Sequence, residues 1–278
     1  MTIIIADTTS GITLDQAKNL RIHLLPQQVI FGEESFKDDS EITTEEFIKR
    51  LKASSTLPKT SAPLHTMYLP IFEKAAQNGE TVIVIVPSSK LSGTLRSVET
   101  ARQEYPKADI RIIDTLTIAG PLGTLVLEAH AMASAGKSPD EIETYIQKLS
   151  KKAKLYFVVD TLEYLQKGGR IGAARALIGE LLQVKPILQL LEGQAAPFVQ
   201  ERTKKRAISR MIDTACDDLG SNPDPKISVM HIDAEDEIME VRAELSRRLG
   251  IREIPVYLLP PAIVVHAGPK ALAIGYFK

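Results

Sequence analysis

Residues Thr81–Val86, TVIVIV, form an unbroken run of six apolar or β-branched residues. The run is too short for a buried helix and too uniformly apolar for a strand with one wet face. Its β-branched side chains favour an extended backbone. A strand covered on both faces needs helices on both sides, which is the layout of a parallel α/β sheet. PSSKLSGTLRS, residues 87–97, follows directly, with four serines and a threonine around one glycine. In open α/β sheets ligands sit beyond the carboxyl ends of the strands, where this loop falls. Its hydroxyls either cap the next helix or hold something.

The rest of the first half keeps the same alternation. Thr2–Ala6 reads as a strand and Thr13–Leu20 as a short helix. Thr43 and Glu46 have capping-box spacing for a helix through Ser54. Pro63 reads as a first-turn proline of a helix to Asn78, with Pro70 kinking it. Ser92 opens a helix, Asp109–Ile113 is a strand, and Leu116–Ala135 is mostly helical. Ser138 and Glu141 form a second capping-box pattern.

The second half reads as α+β. Lys154–Val159 is a strand, and KPILQLLEGQAAPFVQERT is a hairpin turning near Gly193. Residues 203–219 and 235–249 are helical. Lys226–Ile232, Ile254–Leu259 and Ala262–His266 are strand candidates. The fold class is therefore α/β, an open, mostly parallel sheet with helices on both faces, joined to a C-terminal α+β domain. The boundary falls near residue 152, in the lysine-rich KLSKKAK, giving domains 1–152 and 153–278.

Lys and Arg total 34 against 35 Asp and Glu, a net charge of −1, which argues against a nucleic-acid partner. Cys216 is the single cysteine, so intrachain disulfides and multi-cysteine metal sites are excluded, and a cytoplasmic location fits. Residues 1–7 carry no basic leader. The uncharged stretches 115–127 and 256–269 are too short or too proline-broken to span a bilayer, which leaves room only for transient contact with a membrane surface.

Walker, dinucleotide-binding, nucleophile-elbow and zinc-protease motifs are all missing. The five histidines lack metal-ligand spacing, and no cofactor is implied. What remains are hydroxyl and glycine loops suited to an anion, with aliphatic bulk to enclose an apolar body. Each residue has a structural alternative. Thr60, Ser61 and Ser92 have the residue types of helix caps. Arg170 lies where glycines end a helix. His266 sits in an apolar run that suits a core histidine. Arg202, Lys204, Lys205, Arg206 and Arg210 read first as a solvated helix face, with docking of an acidic partner by the four after Arg202 as the lesser alternative.

Spaced in order along nearly the whole chain, LPKTSAP (57–63), SSKLSGT (88–94), DTLEYLQKGGRIG (160–172), KPIL (185–188) and HAGPKALAI (266–274) resemble the motifs of the DegV family, as ADTTSGI (6–12) resembles its first turn. Two segments depart from the pattern: DTLTIAGPLG (114–123) has Ala119 and Pro121 where serine and glycine are usual, and Lys270 stands at a usual glycine. The resemblance implies two α/β domains with a long-chain fatty acid between them. It assigns the carboxylate to Thr60, Ser92, Arg202 and His266, supported by Ser61, Gly93, Thr94 and Gly268, and gives Arg170 to a partner or to transfer. It implies a non-catalytic carrier that presents the acid to a separate fatty-acid kinase catalytic subunit, which makes an acyl phosphate.

Burying many methylenes at roughly 0.8 kcal/mol each makes such a ligand tight, while its carboxylate needs donors and a cation. Two other classes stay open at this point: a hydrolase or transferase with a hydroxyl nucleophile, and a binding module for another lipid anion.

Overall fold

The computed structural model describes residues 2–178, 184–220, 222 and 224–278. In chain order, β1 (Thr2–Asp7), α1 (Leu14–Leu20), β2 (His23–Leu25), β3 (Gln28–Phe31), β4 (Glu34–Lys37), α2 (Thr44–Ala53) and β5 (Lys59–Ser61) come first. Then follow α3 (Leu69–Asn78), β6 (Thr81–Val86), α4 (Thr94–Gln103), β7 (Ile110–Asp114), α5 (Ala119–Ser134) and α6 (Pro139–Ser150). The second half contains β8 (Ala153–Val158), α7 (Glu163–Lys167), β9 (Lys185–Leu191), β10 (Gln194–Glu201), α8 (Lys204–Leu219), β11 (Ile227–His231), α9 (Glu235–Leu249), β12 (Val256–Leu258), α10 (Pro261–Ala267) and β13 (Leu272–Phe277).

The first sheet runs β2-β1-β6-β7, and every pairing in it is parallel. The alternation along β6 explains its all-apolar sequence. Ile83 and Ile85 face a core shared with α5 and α6, while Val82, Val84 and Val86 face the opposite core under α3 and α4. The second sheet, β10-β9-β8-β13-β11-β12, is mostly antiparallel. Tyr156, Val158, Leu272 and Ile274 pack on its α8 and α9 side. Leu155, Leu188 and Ala273 belong to a different core on the other side. Helix α5 lies between the two sheets, touching β1 and β6 of the first and β11 and β13 of the second. A small antiparallel sheet, β4-β3-β5, completes the architecture.

Several local expectations need correction. Ala262–His266 is the helix α10, not a strand. Its β-branched run favours extension, but Pro261 at the first turn presets a helical φ, and burial of Val264 and Val265 holds it. Pro63 opens no helix: α3 begins at Leu69, and Pro70 sits in its first turn, where the missing N–H costs nothing. Helix α4 starts at Thr94 with Gly93 at its N-cap, so Ser92 is not the helix opener. Helix α5 starts at Ala119, because Leu116 and Ala119 both take positive φ. The small sheet was not anticipated at all. No helix among the described residues is long and apolar enough to cross a membrane.

A one-ended cavity between the sheets

A cavity of about 420 Å³ lies between the two sheets. This is within the roughly 300–1,000 Å³ typical of small-molecule sites. The period of two along the second sheet builds its apolar wall. Leu155 and Phe157 of β8 point inward, with Ala273 of β13 opposite Phe157, and Leu190 of β9 lies beside Ala195 of β10. Helix α10 adds Ala262, Ile263 and Ala267, and the start of α5 adds Ile118 and Ala119. Alanines are frequent here, and their short side chains leave the space open.

Polar groups gather in a second set of lining residues: Thr9, Gln27, Thr60, Ser61, Ser92 and Arg170, with His266. Thr60 is on the strand β5, paired with Val29 of β3, so it is not a helix cap. Its Oγ1 lies 3.0 Å from His266 Nε2 in the last turn of α10. The His266 ring fits because the chain passes it at Gly168, where a Cβ would strike Nδ1. Gly268, which follows His266 closely, has φ of 77° and lies so near the Tyr164 ring that a side chain would overlap it.

Ser92 Oγ is 2.9 Å from Thr94 Oγ1, and the Thr94 backbone N–H donates weakly back to it at 3.3 Å. Thr94 is buried and donates to Asp7 Oδ2 at 2.6 Å, beside Gln27 Nε2 at 2.7 Å from the same oxygen. Arg170 is half-buried. Its Nε donates to the Leu91 carbonyl at 3.0 Å, and its Nη1 to the Gly168 carbonyl at 2.8 Å. The glycines that end α7 let the chain turn back so that the guanidinium reaches the SSKLSGT loop.

Burial dominates the electrostatics. It lowers the His266 pKa to about 4, with the Arg170 charge adding to the effect, so the imidazole is neutral at pH 7. Burial also disfavours the Arg170 charge. Asp7 is pushed up by burial and held back by its donors Thr9, Thr94 and Gln27. Asp38 rises to about 7 through burial, opposed by the Thr8 hydroxyl bond.

Thr60, Ser61, Ser92, Gly93 and His266 thus line one cavity, with Thr94 directly behind Ser92. Arg202 does not join them. It is exposed just past the end of β10, whereas Ala195, near the start of that strand, lines the cavity. Seven residues of strand at about 3.3 Å each carry Arg202 well away. Among the described residues that line the cavity, Arg170 is the one arginine or lysine. Asp7 and Thr9 belong to the Asp7–Ser10 segment at the carboxyl end of a strand, where a ligand is expected. Gln27 was not anticipated, and only the fold brings it alongside.

The chain matches, over residues 1–278, the family described as "Uncharacterised protein, DegV family". A DegV domain-containing protein of Clostridium perfringens is 34% identical over 99% of this chain and 98% of its own length. Among solved structures, DegV of Bacillus subtilis, described as a fatty acid binding protein, is 31% identical with a TM-score of 0.89, covering 100% of this chain and 99% of that one. A fatty-acid-binding DegV family protein of Thermus thermophilus reaches a TM-score of 0.93 at 28% identity, covering 100% and 99%. The match from end to end, in sequence motifs, in architecture and in relatives above 30% identity, means that this chain belongs to the DegV family.

Proposed function

We propose that this protein binds a long-chain fatty acid in the cavity between the sheets and presents it to a separate kinase subunit, which phosphorylates the carboxylate. The observation that carries the first half is the cavity's polarity: among the described lining residues, hydroxyls, an amide, an imidazole and one arginine stand against an otherwise apolar wall. Thr60 and Ser92 donate to the carboxylate, Arg170 supplies the cation, and neutral His266 orients the Thr60 hydroxyl. The tail lies along Leu155, Phe157, Ile263 and Ala273. The reading takes residues 1–152 and 153–278 as two domains with the acid between them, working in the cytoplasm. It gives Arg202 and the basic start of α8 to the kinase. The fatty acids bound by the Thermus and Bacillus relatives support the same ligand class.

Extraction of the purified protein with organic solvent, followed by lipid mass spectrometry, should recover an acid of about fourteen to eighteen carbons. Recovery of no acyl lipid, together with no binding of added palmitate or oleate, would overturn the reading. Thr60→Val and Ser92→Ala should each weaken palmitate binding by about tenfold to a hundredfold, because a hydrogen bond to a charged group contributes roughly 1.5–3 kcal/mol. Unchanged affinity in both folded variants would remove the hydroxyls from the head-group site.

A hydrolase would need a hydroxyl aligned on a base and that base held by a third group. Ser92 pairs with Thr94 rather than with a histidine, and the buried His266 Nδ1 has no hydrogen-bond partner among the described residues. Labelling by a fluorophosphonate at Thr60 or Ser92 would reverse this judgement.

A further inference from the structure

Asp7 ends β1 and is completely enclosed, directly behind the polar end of the cavity. All four of its acceptor positions are filled. Oδ1 receives the Thr9 backbone N–H at 2.9 Å and the Thr9 hydroxyl. Oδ2 receives Gln27 Nε2 at 2.7 Å and the Thr94 hydroxyl at 2.6 Å. Each of these donors is neutral, so the carboxylate charge has no cation bonded to it.

A hydroxyl carries one proton. The Thr94 proton is spent on Asp7, and Gln27 Nε2 also approaches Thr94 Oγ1, at 3.1 Å. Thr94 therefore has only lone pairs left for Ser92, whose Oγ is 2.9 Å away. Ser92 must be the donor in that pair. Its proton points into the protein rather than into the cavity. An anion arriving at the site has to pull that proton away from Thr94, and does so in front of a second buried negative charge.

We propose that Asp7 is a positioning residue that holds the Ser92 hydroxyl on Thr94, and so makes the head-group site grip an anion more weakly than its donors alone would. The inference rests on the fatty-acid reading of the cavity. A loosened head with a firmly buried tail suits a ligand whose carboxylate must be reached by another protein.

The test compares palmitate with hexadecanol, which has the same tail and no charge. In Asp7→Asn the amide oxygen keeps the Thr9 donors and the amide nitrogen faces Thr94, while Gln27 turns its own amide to accept. The Thr94 proton then passes to Ser92, whose own proton becomes free for the ligand. Palmitate affinity should rise about tenfold, the size of one hydrogen bond to a charged group. Hexadecanol affinity should move far less. Palmitate binding that is unchanged or weaker in the folded variant, or an equal shift for both lipids, would overturn the inference.

Should Asp7→Asn fail to fold, a cycle of Thr94→Val and Ser92→Ala keeps the question answerable. With Thr94→Val the Ser92 proton has no internal acceptor, so Ser92→Ala should cost more palmitate affinity in that background than in the native protein. Equal losses in the two backgrounds would overturn the inference. Native protein that binds neither lipid would instead overturn the fatty-acid reading and this inference with it.

Discussion

His266 gives up its proton because burial and the Arg170 guanidinium both oppose an imidazolium. Above pH 6.5 the folded and unfolded chains are both neutral at this position. Between 6.5 and about 4 only the unfolded chain takes up the proton, so His266 removes stability as pH falls through that window. The loss is at most about 3 kcal/mol. Asp38 has the opposite slope. Below 3.8 both states are protonated, and between 3.8 and about 7 only the unfolded chain ionises, so stability falls as pH rises. The two effects offset each other where the windows overlap. Asp38→Asn keeps the acceptor for Thr8 and removes one slope. It should raise stability near pH 8 by up to about 4 kcal/mol and leave a steeper acid loss. Urea unfolding near pH 5 and pH 8 reads both changes, and identical pH dependence in the variant and the native protein would contradict the assignment.

At the level of elements, the turn before β13 and the start of α5 both contain side chains in left-handed conformation. Lys270 has φ of 58° and stands where the family's motif usually has glycine. That conformation costs an L-residue roughly 1–2 kcal/mol, partly offset by the unfolded-state freedom a glycine would add. Lys270→Gly should therefore stabilise the protein by about 0.5–1 kcal/mol, visible as a higher melting temperature. Along β13, Ala273→Phe should close the tail space beside Phe157 and cut lipid retention by about tenfold or more without unfolding the chain. The alternation of strands and helices was legible because β6 and α6 state their roles locally, through a β-branched run and a reciprocal Ser138–Glu141 cap. Helix α10 was not, because VV before His266 favours extension and only packing overrides it. The short strands β3, β4 and β5 lack the length that makes a period of two detectable. Thr60, Ser92 and His266 stand in motifs, and the cavity collects all three. That Arg170 rather than Arg202 lines it depends on which end of β10 meets the cavity, and Gln27 carries no local signal.

Across the whole molecule, the proposed function gives the two arginines separate tasks, holding and handing over. Arg170 is tied to the carbonyls of Leu91 and Gly168 at the cavity, while Arg202 is exposed beyond β10. Arg202→Ala should slow acyl-phosphate formation by an added kinase subunit while lipid retention stays near native. Arg170→Ala should reduce both, because it removes a charge from the cavity wall and unties the SSKLSGT loop. A paired assay of transfer and retention distinguishes them, and acyl phosphate formed with ATP by this chain alone would overturn the carrier reading. The space of about 420 Å³ between the sheets has a mechanical consequence as well. Unfolding eliminates internal voids, and proteins lose tens of mL/mol of volume when they unfold, in proportion to the void they contain. A chain stripped of its lipid is therefore the more compressible form, and hydrostatic pressure should melt it well before the loaded one.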